Sequence, residues 1–307
     1  MTTLAPYAAP GIGTVPGFMQ ALESLRGQLG LPAWRAIARS DPVIRSWRYF
    51  LVHDPYTRWG LIKPRGYPGD ATLMDFAYGH PSVGEHISTA GDIGQQIYKL
   101  TVGAPQSKSA RSRVELLRRE LLGQGQGLGL GRAVPARAIS FAAGHARELE
   151  GLPKPSEGGL ARFTAIDMDA DSLATAGLAA GQRDYRPMQR NVIRDDLGDV
   201  GQAELVYSLG LFDYLDDRTA LTVLQRMLLC TAADGRCIVA NLSHEAANLG
   251  YCEAIMDWWM TTRQGSDLYS LAQRALDSTG LKAEVRTERR DCFEYLMIDV
   301  HGSANSA

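Results

Sequence analysis

The sequence predicts an α/β chain in which a mostly parallel sheet of seven strands, closed by a terminal antiparallel hairpin, follows an N-terminal helical cap. Three observations predict it. From about Pro16 to Leu122 apolar residues recur three and four apart; beyond residue 136 five short apolar runs alternate with helical segments; and the last two strand-like runs, "KAEVRTERR" and "CFEYLMIDV", are joined by only a few residues around Asp291. Alternation of strand and helix requires crossovers and therefore parallel strands, whereas so short a link allows only antiparallel pairing.

The bulk numbers agree with a single sizeable core plus an accessory segment: 307 residues, 45% of them apolar. With 32 basic and 34 acidic residues interspersed and a net charge of −2, no basic patch points to nucleic acid. A small-molecule substrate is the expected partner. Cys230, Cys237, Cys252 and Cys292 lack the spacing of a zinc site or a disulfide framework, which suits a reducing compartment. The opening "MTTLAPYAAPGIGTVPGF" lacks a basic region followed by a long apolar stretch, and no later run approaches the roughly 20 apolar residues that span a bilayer, so a cytoplasmic location is expected.

The cap is assigned to residues 1–122, where "FMQALESLRGQL", "LPAWRAIARS", "PVIRSWRYFLV" and "SARSRVELLRRELL" have helical periodicity. Within it "IKPRGYPGDATLMDF" is too rich in proline and glycine to be helical. It reads as a loop over 63–70 that holds Arg65, Tyr67 and Asp70, with Asp70 capping the helix that follows. The stretch 123–135, with five glycines in its first nine residues, reads as a linker. From 136 to 307 the strands are "ARAISFA", "ARFTAID", "MQRNVI", "AELVYSL", "RCIVANL" and the closing hairpin, with helices such as "DSLATAGLAAGQ" and "DRTALTVLQRMLLCTA" between them.

In a doubly wound sheet, ligands bind outside the carboxyl ends of the strands. The first end, "AISFAAGHARELEGL", reads as a strand turning sharply into a helix. Gly144 there either lets backbone approach a ligand or serves packing alone. The second end places Asp167 after an apolar strand, about 20 residues beyond that glycine, where a carboxylate can accept both hydroxyls of a ribose. Asp169 reads as the cap of the next helix.

At these residues a family likeness emerges. "AISFAAGHARELE" resembles the "ILSLGCGPARE" form of the first motif of class I S-adenosylmethionine (SAM) methyltransferases, and "TAIDMDADSLATA" resembles their ribose-binding second motif. "AELVYSLGLFDYLDDRTA", "KPRGYPGDATLM" and "MDWWMTTR" are similar to the fourth strand, the "KPxGYxGD" lid and the "DWYxxYR" pattern of a bacterial subgroup associated with 3-hydroxy fatty acid methyl ester biosynthesis. The likeness runs from about residue 40 to the end and implies a Rossmann-like fold with SAM as cofactor.

Carried over by position, it implies that Ala142, Ala143 and Gly144 line the methionine half of SAM, that Asp167 binds the ribose and that Met168 flanks the adenine. Asn191 and Val192 would meet the adenine edge, and Ser208 and Gly210 would end the fourth strand beside the sulfonium. Asn191 also suits a loop cap, and Phe212 and Tyr214 also suit core packing. Aromatic faces stabilise a fixed cation by roughly 0.5 to 2 kcal/mol, which makes Phe141, Tyr67, Tyr207 and Phe212 candidates around the sulfonium. For the acceptor, His244, Tyr67 and Tyr251 are the candidate catalytic groups. Arg65, Asp70, Tyr214, Trp258 and Arg263 are the candidate substrate contacts, with Tyr251, Trp258 and Arg263 expected on one helix and Arg263 also readable as a surface salt bridge.

The chain departs from the family pattern at Ala142, usually glycine, and at His145, usually a small residue or proline. Three activities stay open: methyl transfer to a small acceptor in specialised metabolism, with carboxylate-bearing molecules among the candidates; cyclisation of SAM to azetidine-2-carboxylate with release of methylthioadenosine; and SAM binding without catalysis.

Overall fold

The computed structural model describes residues 14–123 and 133–302. Most of the glycine-rich linker therefore lies outside the described residues. The chain divides into two compact units: residues up to Arg111 together with Glu245–Trp259, and Ser112–His244 together with the residues from Met260 onward.

The first unit is helical. Its elements are α1 (Val15–Gln28), α2 (Leu31–Ser40), α3 (Pro42–Leu51), α4 (Pro55–Ile62), α5 (Ala71–Tyr78), α6 (Gly84–Ser88), α7 (Gly91–Val102) and the start of α8 (Pro105–Leu121). Asp41 and Asp54 each precede a proline and accept backbone N–H bonds from the first turn, so "DP" starts α3 and α4 by joining an N-cap to a residue that has no N–H to satisfy. Phe18, Leu22 and Leu25 of α1, on one face at i, i+4 and i+7, are fully buried. They belong to the face that packs on α11 (Leu249–Ala254). The Glu253 carboxylate fastens that packing, receiving Arg26 Nε at 2.7 Å and the buried Trp34 indole at 2.6 Å.

The second unit carries the sheet. Strands β1 (Arg137–Phe141), β2 (Arg162–Asp167), β3 (Asp184–Gln189), β4 (Ala203–Ser208), β5 (Thr231–Leu242), β6 (Ala283–Arg290) and β7 (Phe293–Val300) lie in the order β3-β2-β1-β4-β5-β7-β6. The first five are parallel; β7 runs antiparallel to both β5 and β6, as the short link predicted, with Asp291 in the left-handed region at φ 52°. Helices α9 (Ala170–Ala180), α10 (Asp217–Leu229) and α12 (Gly265–Thr279) belong to the same unit, as does α8 from Ser112 onward. One face of the sheet packs Ile139, Phe141, Val206 and Val239 against Val223 and Met227 of α10 and Leu268 and Leu271 of α12. The seven-stranded, mostly parallel sheet with its closing hairpin is the fold class the sequence predicted.

Three local expectations are corrected. No α-helix follows the first turn; a 3₁₀ turn, Arg147–Leu149, leads into the segment "GLPKPSEGG", which winds only one further 3₁₀ turn, Pro155–Glu157. The third strand starts and ends earlier than "MQRNVI", at Asp184 and Gln189, because it pairs residue for residue with Arg162–Asp167. Tyr251, Trp258 and Arg263 do not share a helix. α11 ends at Ala254, the Trp258 N–H returns to the Cys252 carbonyl, Asp257 is left-handed at φ 47°, and Arg263 forms a parallel bridge with Ser243.

Candidate functional site

β1 lies between β2 and β4, the point at which the strand order reverses, and in doubly wound sheets the ligand crevice lies outside the strand ends at such a point. The Ser208 hydroxyl donates to the Phe141 carbonyl at 2.9 Å and so joins the two strand ends. Beyond Phe141 the backbone turns through alternating left-handed residues: Ala142 at φ 55°, Gly144 at 54° and Ala146 at 49°. The Ala143 N–H continues to the Ile166 carbonyl of β2 at 3.1 Å. Glycine adopts such angles freely, whereas alanine is strained there by roughly 1–2 kcal/mol, which gives a physical reason for the glycine that the family pattern has at 142.

Asp167 closes the turn from the neighbouring strand. One carboxylate oxygen accepts the Gly144 N–H at 2.9 Å and the other accepts the Asp169 N–H at 2.9 Å. Burial raises its pKa, with the nearby Asp169 charge acting in the same direction, and the two backbone donors oppose them. The first turn and the second strand end are thus one hydrogen-bonded unit. Asp169 caps α9, accepting the Asp171 N–H and the Ser172 hydroxyl. Met168 beside it is 50% exposed, enough to offer an apolar surface to a ligand.

Other expected contacts sort differently. Asn191 caps a turn: its Oδ1 accepts the Ile193 N–H at 2.9 Å, and its N–H donates to Asp195 at 2.7 Å. The Val192 side chain and the fully buried Phe212 belong to the hydrophobic core with Phe141, so none of the three offers a face to the crevice. Tyr207 lies on the opposite face, where its hydroxyl donates to Glu148 at 2.6 Å; burial and that carboxylate hold its pKa well above the usual value. Gly210 and Tyr214 are half-buried on the loop after β4, and His145 is half-buried with Nδ1 3.4 Å from Arg147 Nη2. His244 is exposed, with Nε2 3.0 Å from the Thr262 carbonyl.

Arg263 is a scaffold residue rather than a substrate contact. Only 2% exposed, it donates to the Phe212 carbonyl at 2.9 Å, the Leu215 carbonyl at 2.7 Å, Asn241 Oδ1 at 2.7 Å and Asp217 at 2.8 Å. It thereby braces the 3₁₀ turn Phe212–Tyr214 that follows β4. Asp213 braces the same turn from within, accepting Asn241 Nδ2 at 2.9 Å and the Leu242 N–H at 2.6 Å; burial lifts its carboxyl to about 6.

Sequence reasoning passed over Asp213 and Asn241, and also Arg113, whose guanidinium donates to the Leu209 carbonyl and lies 4.4 Å over the Phe293 ring. The only available signal was a polar residue inside an apolar run, as with Asn241 in "IVANL".

In the first unit the loop 63–70 is held at both ends. Lys63, left-handed at φ 52°, ends α4 and sends its Nζ to Asp257 at 3.0 Å. Asp70 caps α5 by accepting the Leu73 N–H at 2.8 Å and also takes the Trp59 indole N–H at 3.0 Å. Arg65 and Tyr67 are half-buried between these anchors. Tyr251 is corrected as a catalytic candidate: its hydroxyl shares a 2.6 Å hydrogen bond with Thr57 and is fully enclosed, and burial pushes its pKa far up. Trp258 is 5% exposed and offers little surface for recognition.

No protein-family model and no curated protein matches the chain. Among solved structures it is similar to a possible exported protein from Bordetella parapertussis, at 16% identity over 96% of this chain and 100% of that one, with a TM-score of 0.59. It is also similar to magnesium protoporphyrin IX methyltransferase from Synechocystis PCC 6803 with bound SAH, at 14% identity over 76% of this chain and 100% of that one, TM-score 0.45. A third is a TehB-like SAM-dependent methyltransferase from Corynebacterium glutamicum, at 14% identity over 62% and 87%, TM-score 0.42. At 16% identity the first likeness is one of fold. Among the described residues no helix is long and apolar enough to cross a membrane.

Proposed function

We propose that the second unit binds SAM outside the ends of β1 and β4 and that the chain transfers its methyl group to a small acceptor bearing a carboxylate. The observation that carries this reading is Asp167, a buried carboxylate at the end of β2 hydrogen-bonded to the turn at Gly144. The Gly144 and Asp169 N–H groups take up only part of the acceptor capacity of an ionised carboxylate, and what is left suits the hydroxyls of a ribose. Ala142 to Gly144 then lie beside the methionine end, Met168 against the adenine, and Ser208 and Gly210 near the sulfur.

The cofactor supplies a methyl carbon made electrophilic by the sulfonium. The chain's part is alignment of the acceptor, for which the motif likeness favours Arg65 and Tyr67, with a bidentate guanidinium suited to a carboxylate, and His244 as a group able to accept a proton. A role in specialised metabolism and a cytoplasmic location belong to the same proposal.

The test is incubation of the purified chain with SAM, followed by analysis of the nucleoside released. S-adenosylhomocysteine formed only when a carboxylate acceptor is added supports the reading. Methylthioadenosine and azetidine-2-carboxylate formed from SAM alone would replace it with cyclisation; tight binding with no turnover would replace it with a non-catalytic role. Absence of SAM binding overturns it altogether.

A further inference from the structure

The helical unit contains a cavity of about 630 Å³, formed by α4, α5 and the α6–α7 region, that none of the residues discussed for SAM requires. Its floor is aromatic. Phe76 is fully buried, the Trp59 ring lies 5.8 Å from it, and the His86 ring sits 5.4 Å from Trp59 and 5.7 Å from Phe76. The one polar atom of the indole, Nε1, is committed to the Asp70 carboxylate at 3.0–3.1 Å, so what Trp59 offers to the cavity is carbon.

The lining also contains the nitrogen-bearing side chains of His53, Arg58 and His86, and no aspartate or glutamate. Arg58 is exposed and forms no side-chain hydrogen bond or ion pair with any described residue. The His53 ring is oriented by its Nδ1, 2.8 Å from the Phe50 carbonyl, which leaves Nε2 for another partner.

The walls are built in advance of any ligand. Asp54, fully buried, accepts the Tyr56 N–H at 3.0 Å and the hydroxyls of Thr57 at 2.6 Å and Thr101 at 2.9 Å, which fixes the start of α4 against α7. Gly94 of α7 packs so closely on the His53 carbonyl that a Cβ would overlap its oxygen. A preformed concavity of this size is in the range of small-molecule sites, roughly 300–1,000 Å³.

From this geometry we infer that the helical unit binds a small aromatic carboxylate, its ring against Trp59 and His86, which Phe76 backs from beneath, and its carboxylate on Arg58. Ring edges and faces favour aromatic over aliphatic bodies, and a guanidinium with no competing carboxylate forks onto an anionic one. The inference rests on the first unit alone and is independent of SAM binding. Pro64, next to the Lys63 end of the 63–70 loop, also lines the cavity, and so does Trp59, whose indole N–H holds Asp70 at the loop's other end.

Isothermal titration of the full chain, without SAM, with 1-naphthoate and with the uncharged 1-naphthylmethanol tests it. Saturable 1:1 binding of the naphthoate is expected, with the alcohol at least about tenfold weaker. Arg58→Ala, at an exposed position, should weaken the naphthoate about tenfold or more and leave the alcohol unchanged. Thr89→Trp, which fills the cavity from its rim, should abolish binding of both. No saturation by about 5 mM naphthoate, equal affinity for acid and alcohol, or full affinity in either variant would overturn the inference.

Discussion

Asp167 is the residue on which SAM recognition is proposed to depend, and its position was legible because an acidic side chain directly after an apolar strand has few structural reasons to be there. Asp167→Ala should weaken SAM binding by on the order of 1.5–3 kcal/mol, measured by titration calorimetry. Unchanged affinity would remove the ribose role. Ala142 was legible only as a departure from a motif; its φ of 55° is what gives the departure a cost. Ala142→Gly relieves left-handed strain of roughly 1–2 kcal/mol, offset by the greater freedom of glycine in the unfolded chain, so denaturant unfolding should show a gain of about 0.5–1 kcal/mol. Arg263 reads identically as a surface ion pair, a ligand clamp or a buried brace from "MTTRQG", since what distinguishes them is the set of carbonyls around it.

At the scale of elements, the loop after β4 holds its shape through side chains from two distant segments. Arg263→Ala leaves the carbonyls of Phe212 and Leu215 and the amide oxygen of Asn241 without that donor, a loss of about 3 kcal/mol in denaturant unfolding. Arg263→Lys, with a point charge in place of a fork, should recover only part of it. A loss under about 0.5 kcal/mol would show that the loop is held by other means. The first crossover shows the limit of periodicity. "HARELEGL" contains helix formers, yet only one turn winds in it, because Glu148 is drawn inward to Tyr207 while Gly151, left-handed at φ 71°, and Pro153 stop the chain from continuing. Caps were more legible. Asp70 and Asp169 start the helices that the sequence assigned to them, and Asp41 and Asp54 start α3 and α4 in the same way, since capping needs only neighbours two or three residues away.

For the whole molecule, two buried carboxyls set a pH dependence. Burial lifts Asp54 in the helical unit and Asp213 in the sheet unit from 3.8 to about 6, against the hydrogen bonds that each accepts. Between those values the folded chain holds protons that the unfolded chain has released. Their contribution is therefore fully present below about pH 4 and is lost as pH rises through 6. Thermal unfolding of Asp54→Asn should consequently fall less than that of the natural chain between pH 4 and 7. Identical slopes would acquit this carboxyl of the effect.

The sequence by itself determined the succession of helices and strands, the parallel sheet with its antiparallel closure, and the candidacy of Gly144 and Asp167, because periodicity, caps, link lengths and strand ends are written in neighbouring residues. Only the tertiary structure decided that Arg263, Tyr251, Phe212 and Val192 are scaffold, that residues 245–259 belong with the helical unit, and that Trp59, Phe76, His53, Arg58 and His86 line one cavity. Burial and partnership depend on residues tens to hundreds of positions apart, and no local pattern in the chain encodes which of them meet.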